Sequence, residues 1–209
     1  MDTTKKLKLT AYQKQVLIGT LLGDASLQWS ESKARTTCRV RFVQKNKAYI
    51  DHLSHVFSPF VATPPQLRKD ADVWYFNTRQ YASFRFYGLL FYDKTTNKKI
   101  IPRSIQRWLT PVSVAYWFMD DGSAKWRNQS SGVRFCTDCF EEEDVRRLAK
   151  ALALAFGVKT SVVRARQSLR IEVSGQGDNG FRFGRAILPH ILPEMRDKVP
   201  PRWLQAGEE

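Results

Sequence analysis

The chain has 209 residues, of which 43% are hydrophobic, so it can form one large domain or two small ones around a shared core without disulfides. Its 34 Lys and Arg against 20 Asp and Glu give a formal net charge of +14, spread over both halves, which favours a polyanionic partner such as nucleic acid. Three cysteines and no apolar run of about 20 residues argue against a secreted disulfide framework and a membrane-spanning protein. We expect a soluble intracellular protein without a signal peptide.

The first half alternates helices with paired strands. Thr10 and Gln13 form a capping box that begins a helix reaching about Gly23. Residues 33–42 alternate with period two, which predicts a half-buried strand with a cationic face. The pattern then predicts, in chain order, a helix over 46–60, a hairpin over 66–80, an apolar helix over 81–93 and a basic loop over 94–103.

The second half repeats this order. Thr110 and Pro111 are a good cap and first residue for a helix over 112–121. A hairpin over 123–138 and an amphipathic helix over 141–157 follow. Residues 161–175 alternate again, which predicts a strand with one apolar and one basic face. The basic face is predicted to carry Arg164, Arg166, Ser168 and Arg170.

Individual positions repeat as well. Asp24 and Asp121 are 97 residues apart, while "KIIPR" at 99–103 and "KVPPR" at 198–202 are 99 residues apart. Two independent motifs that repeat at nearly the same interval predict two pseudo-symmetric halves, residues 1–108 and 109–209, that form one compact unit.

The repeated acids predict a cation site. If the two Asp-ended helices pack side by side, through Gly19 and Gly23 in the first, both carboxylates emerge at one place and repel each other and the negative helix ends. Hard oxygen ligands select magnesium or calcium, and a divalent ion beside a cationic surface suits phosphodiester hydrolysis. Lys99 and Lys198 are either solvated charges or catalytic groups that steady the phosphate or orient water.

These residues carry a family resemblance. "LIGTLLGDA" at 17–25 and "VAYWFMDDG" at 114–122 look like two copies of the LAGLIDADG motif, and the whole chain resembles a single-chain, two-motif LAGLIDADG homing endonuclease. The first copy departs from the motif at residues 21–23 and the second at Tyr116, but the eighth motif position is acidic in both. The resemblance implies an α+β fold of two αββαββα halves, whose antiparallel sheets form a saddle over DNA with the motif helices at the interface.

The resemblance also implies a site and a reaction. Family members cut both strands of DNA with magnesium, and calcium is expected to support binding with little cleavage. The implied catalytic residues are Asp24, Asp121, Lys99 and Lys198, with Gln44 and Thr137 as candidates near the attacking water. The implied metal ligands are Asp24 and Asp121, with Gly23 and Asp120 as further candidates, Asp120 being the less favoured because its neighbour already points to the metal.

Basic side chains on the strands would supply the DNA contacts, because arginines bind phosphates and read guanine edges. A solvated strand face is the alternative, disfavoured by arginines that repeat on two matching strands. The predicted contact residues are Lys33, Arg35, Arg39, Arg41, Arg79, Lys125, Arg127, Arg134, Arg164, Arg166 and Arg170.

A second class of function stays open at this point. The same scaffold can bind without cutting, as an intron maturase with RNA as its partner or as a DNA-binding regulator. Survival of both acids and both loop lysines favours the nuclease, because a pure binder has no chemical need for them. We expect a monomer, in a mitochondrion or chloroplast if an organelle encodes it and otherwise in a microbial cytoplasm.

Overall fold

The computed structural model describes residues 7–31, 34–126, 129–165 and 167–205. The order αββαββα occurs twice and is followed by a short final helix, which confirms the predicted α+β class. The helices are α1 (Ala11–Leu22), α2 (Lys47–Val56), α3 (Arg85–Phe91), α4 (Pro111–Asp121), α5 (Glu142–Phe156), α6 (Asn179–Ile187) and α7 (Pro201–Gln205). The strands are β1 (Ser26–Trp29), β2 (Cys38–Gln44), β3 (Gln66–Arg68), β4 (Val73–Asn77), β5 (Gly122–Ala124), β6 (Val133–Cys136), β7 (Thr160–Ala165) and β8 (Ser168–Val173).

Each half builds one antiparallel sheet of four strands. The orders are β1-β2-β4-β3 and β5-β6-β8-β7, so the two sheets have the same topology. In β2, Val40 and Phe42 are buried in the core, whereas Arg39 and Arg41 are partly exposed on the other face. We call this second face of each sheet, which turns away from the core, its open face.

Helices α1 and α4 pack against each other, as predicted. The capping box at the start of α1 is present, and Thr110 caps α4 with Pro111 as its first residue. A β-carbon on Gly19 would overlap the carbonyl oxygen of Ser113 and lie 2.8 Å from the β-carbon of Tyr116. The prediction that α1 contacts its partner through glycine is therefore confirmed, because only a residue without a side chain lets the backbones approach this closely.

The prediction that Arg164 and Arg170 share one basic strand face within residues 161–175 is wrong. The segment is a hairpin, in which β7 and β8 pair from Thr160 with Val173 to Ala165 with Ser168. Arg164 lies opposite Leu169 in this register, on the face that carries the core residue Ile171, and its guanidinium is 3.7 Å from the carboxylate of Glu142 in α5. Arg164 and Arg170 therefore lie on opposite faces, because the chain reversal changes which positions share a face.

The predicted strand at 33–42 begins later than expected. β2 starts at Cys38, and Arg35 precedes it in a left-handed conformation with a φ of 45°. Its carbonyl oxygen accepts a hydrogen bond of 3.1 Å from Nε of Arg85. Arg35 is therefore a loop residue, and the prediction that it shares the strand face with Arg39 and Arg41 is wrong. Three other predicted contact residues lie outside the described ranges: Lys33, Arg127 and Arg166.

The core is continuous from one half to the other and is rich in aromatic side chains. Trp117 of α4, for example, stacks on Phe135 of β6 with ring centroids 4.0 Å apart. The three cysteines are free, as expected. Among the described residues, no helix combines the length and the hydropathy that a membrane span requires.

Candidate active site

The two motif acids lie at the paired C-terminal ends of α1 and α4. Asp24 follows the glycine that caps α1, and Asp121 is the last residue of α4. The backbone N–H of Asp24 donates a 3.1 Å hydrogen bond to Oδ2 of Asp120, so the ends of the two helices are in direct contact. The repeated sequence motifs therefore meet at one place.

Burial and like charge act together on Asp121. Burial first, and then the negative charge of Asp24, raise the pKa of Asp121 to about 7, although Lys99, Lys198 and Arg170 oppose the shift. An ionised carboxylate is thus unfavourable at this position in the protein alone. A bound cation would remove that penalty. The sequence predicts the same situation, in which two neighbouring carboxylates repel each other unless a cation lies between them.

Both loop lysines contact the backbone of the motifs. Nζ of Lys99 donates to the carbonyl oxygen of Gly23 at 2.8 Å, and Nζ of Lys198 donates to that of Asp120 at 2.7 Å. Each carbonyl belongs to the residue just before the motif acid, so the two contacts are equivalent. Burial lowers the pKa of Lys99.

The two candidates for positioning water differ in the structure. Nε2 of Gln44 donates to Oδ2 of Asp24 at 3.1 Å and to Oδ1 of Asp120 at 2.8 Å. Thr137 stands at the matching place after β6, but its buried hydroxyl donates to the carbonyl oxygen of Leu169 at 2.7 Å. Thr137 is a candidate near the attacking water, but in the structure its short side chain is engaged within the sheet, whereas Gln44 contacts the acids.

The side chain of Asp120 is held inside the interface between the halves. Besides the bonds from Asp24 and Gln44, its Oδ1 accepts a 2.9 Å hydrogen bond from the hydroxyl of Tyr49. A β-carbon on Gly23 would overlap this carboxylate. Asp120 is thus committed to protein donors, which argues against its carboxylate as a metal ligand and leaves only its carbonyl facing Lys198. Tyr49 was missed by sequence reasoning, since nothing local marks a tyrosine on a helix.

A cavity of about 530 Å³ lies beside this network. Its lining includes Asp24, Gln44, Asp120 and Lys198, together with Met195 from the end of the second half. Side chains of both halves therefore border one space next to the first motif acid.

The possible metal donors are oxygen atoms. Among the described residues, no three His, Cys, Asp or Glu side chains are grouped to hold a metal ion. The available set is instead the carboxylates of Asp24 and Asp121 with the carbonyl oxygens of Gly23 and Asp120. This set fits a hard divalent cation, because such ions bind carboxylate and carbonyl oxygens.

The first sheet presents a basic open face. Nε of Arg39 donates to Gln28 on β1 at 2.9 Å, and the guanidinium of Arg41 lies 5.0 Å from the ring centroid of Tyr75. Arg79, just beyond β4, is exposed. These contacts hold the guanidinium groups on the face while leaving them partly accessible.

The open face of the second sheet is less uniformly basic than the sequence pattern suggests. Lys125 forms an ion pair with Glu172 of β8, and Arg134 lies 3.9 Å from the same carboxylate. Arg170 forms two hydrogen bonds with the carboxylate of Asp138, from Nη1 to Oδ1 and from Nη2 to Oδ2, the second at 3.1 Å. Acidic partners therefore compete with DNA for these cations, and the two sheets differ in charge.

Comparison with known proteins identifies close relatives of this arrangement. The family model of the LAGLIDADG DNA endonuclease family matches residues 14–181. The DNA endonuclease I-ChuI of Chlamydomonas applanata is 29% identical over 212 residues, which cover 92% of this chain and 96% of that protein. The solved structure of the homing endonuclease I-WcaI bound to its DNA recognition sequence matches with a TM-score of 0.81 at 30% identity, covering 92% of this chain and 88% of that one. The cytochrome b mRNA maturase bI2 of Saccharomyces cerevisiae is 23% identical over 199 residues, 88% of this chain and 46% of that protein.

Proposed function

Since the chain belongs to the LAGLIDADG DNA endonuclease family, we propose that it is a site-specific homing endonuclease. It would make double-strand breaks in a long DNA target by divalent-metal-dependent hydrolysis of phosphodiester bonds. The observation that carries this proposal is the meeting of two motif acids at one interface, each preceded by a carbonyl oxygen that contacts a lysine.

Each chemical role follows from the position of the group. Asp24 and Asp121, with the carbonyl oxygens of Gly23 and Asp120, would hold Mg²⁺, which supplies Lewis-acid activation and neutralises charge at the leaving oxygen. Lys99 and Lys198 would stabilise the developing negative charge on the phosphate, a role supported by their contacts with the carbonyl oxygens that precede the motif acids. Gln44 would orient water beside Asp24, because its amide already contacts that carboxylate.

Each half of the protein would bind a different part of the DNA target. Residues 1–108 and 109–209 would each bind one half of the target with the open face of one sheet. The boundary falls between the basic loop that carries Lys99 and the cap of α4 at Thr110. Both halves lie in one chain, so a monomer contains both acids and needs no partner subunit.

The test is cleavage of a randomised plasmid library in magnesium, followed by sequencing of the cut molecules. We expect one long, defined site, and we expect the Asp24→Asn protein to make no double-strand breaks under the same conditions. Cleavage without sequence preference would contradict site specificity. Equal cleavage by Asp24→Asn would contradict the proposed site.

Intron maturase activity is the alternative, and the maturase relative is the observation in its favour. The paired acids and lysines weigh against a protein that only binds, because binding alone does not need them. The same preparation can be offered structured intron RNA and plasmid DNA in parallel. Selective RNA capture with no DNA cleavage would favour the maturase over the nuclease.

A further inference from the structure

We propose that Asp120 is a positioning residue that pre-assembles the site around Asp24 and thereby makes the two strand-cleaving centres unequal. The inference rests on the proposed nuclease function and concerns the order in which the two strands are cut. It assigns the carboxylate of Asp120 a role across the interface, in the half to which it does not belong.

The hydrogen bonds that the carboxylate of Asp120 accepts all come from residues of the first half. Its Oδ2 accepts the backbone N–H of Asp24 at 3.1 Å, and its Oδ1 accepts Gln44 and Tyr49 at 2.8 and 2.9 Å. Gln44 in turn donates to the carboxylate of Asp24. One carboxylate of the second motif therefore fixes both the backbone and the side-chain partner of the first motif acid.

No equivalent arrangement serves Asp121. The first motif has Gly23 at the position of Asp120, so it has no side chain to reach across. The residue that matches Gln44 is Thr137, whose hydroxyl is engaged with Leu169. Across the described parts of the chain, no hydrogen bond joins a side chain to the carboxylate of Asp121.

The glycine and the aspartate depend on each other. A β-carbon on Gly23 would overlap the carboxylate of Asp120, so the first motif can carry only glycine while the second keeps this aspartate. A symmetric pair of acids at these positions would not fit into the interface. The asymmetry is thus a consequence of packing and is present before any metal or DNA binds.

A pre-assembled centre should act before one that must be organised by its ligands, because outer contacts that orient a ligand change activity by about 10–100-fold. The strand cut at the Asp24 centre is therefore cut first, and the nicked intermediate carries its break in that strand. Removal of the Asp120 contacts should slow this strand and leave the other nearly unchanged.

Asp120→Asn is the appropriate variant because it preserves size. The asparagine oxygen can still accept the N–H of Asp24, but its NH₂ group then faces Nε2 of Gln44. If the Gln44 amide turns to accept this NH₂ group, its oxygen points at the carboxylate of Asp24, so the contact between Gln44 and Asp24 is lost. The matched control is Asp178→Asn, which makes the same replacement of aspartate by asparagine where Asp178 pairs with Arg185 on α6. Thermal unfolding of both variants measures any general loss of stability.

The kinetic test uses the selected target with each strand labelled separately, under single-turnover conditions in magnesium. We expect wild-type protein and Asp178→Asn to cut the same strand first, and Asp120→Asn to slow that strand by about tenfold or more relative to the other. Equal slowing of both strands would overturn the inference, as would an unchanged ratio of the two rates.

A second readout needs neither metal nor cleavage. Hydrogen exchange at the amide of Asp24 in the metal-free protein should be faster in Asp120→Ala than in wild type or Asp178→Ala, because alanine leaves this amide without its acceptor. Unchanged exchange would contradict the contact itself. If wild-type protein cuts no DNA, the proposed function fails, and the exchange experiment still decides whether Asp120 holds Asp24.

Discussion

At the scale of single residues, Asp121 links the site to pH. Burial and the charge of Asp24 raise its folded pKa to about 7, whereas the pKa of an unperturbed aspartate is about 3.9. The folded state therefore holds this proton more tightly than the unfolded state does. The resulting stability is complete below the unfolded pKa and is lost as the pH rises through the folded one.

We predict that Asp121→Asn gains stability relative to the wild type as the pH of metal-free protein is raised from about 5 to about 8. The asparagine cannot ionise, so it escapes the penalty that grows on the wild-type carboxylate. Thermal unfolding of both proteins in chelator, at matched pH and ionic strength, measures the difference. A difference that does not vary with pH would show that Asp121 has no raised pKa.

The sequence predicted the principal residues of the candidate site because they repeat. Asp24 and Asp121, or Lys99 and Lys198, are unremarkable when taken singly and become informative as pairs in matching contexts. The network around Asp120 could not be predicted in the same way. It joins Tyr49 to the carboxylate of Asp120, 71 residues later in the chain. It also depends on a difference between the two motifs, since the first has Gly23 where the second has Asp120.

At the scale of elements, the contact between α1 and α4 predicts whether Gly19→Ala raises or lowers the free energy of unfolding. In an isolated helix, Gly19→Ala would stabilise by about 1 kcal/mol. In this protein the new β-carbon would overlap the carbonyl oxygen of Ser113. We expect the free energy of unfolding to fall by about 1–3 kcal/mol, measured by denaturant titration. An increase would mean that the helices do not pack through this glycine.

The register of the strands gives a second prediction, with a control in the other half. Arg41 lies on the open face of its sheet, whereas Arg164 lies on the core side, near Glu142. Arg41→Ala should weaken DNA binding by about 1–3 kcal/mol, and Arg164→Ala should change it much less. Fluorescence anisotropy in calcium measures both. Equal losses would contradict the assignment of faces.

The elements show where sequence patterns lose information. Capping signals at Thr10 and Thr110 are local, and both helix starts were predicted correctly. The faces of β7 and β8 were assigned wrongly because the alternation of apolar and basic residues continues from one strand into the next. Periodicity reports whether a chain is extended, but it does not report where the chain reverses.

At the scale of the whole molecule, the net charge of +14 makes salt an informative variable. We predict that the logarithm of DNA affinity falls linearly with the logarithm of salt concentration, with a slope of about −0.9 for each phosphate neutralised. Arg41→Ala should reduce that slope by about 1. Binding that is insensitive to salt would show that the open faces are not the DNA footprint.

The central claim is that Asp24 and Asp121 together cut DNA. The most direct measurement compares wild-type protein, Asp24→Asn and Asp121→Asn on the selected target, with cleavage followed in magnesium and binding in calcium. We predict that each variant loses double-strand cleavage while its affinity for the target stays close to that of wild type, because the proposed DNA contacts lie on the sheets. Undiminished double-strand cleavage by either variant would contradict it.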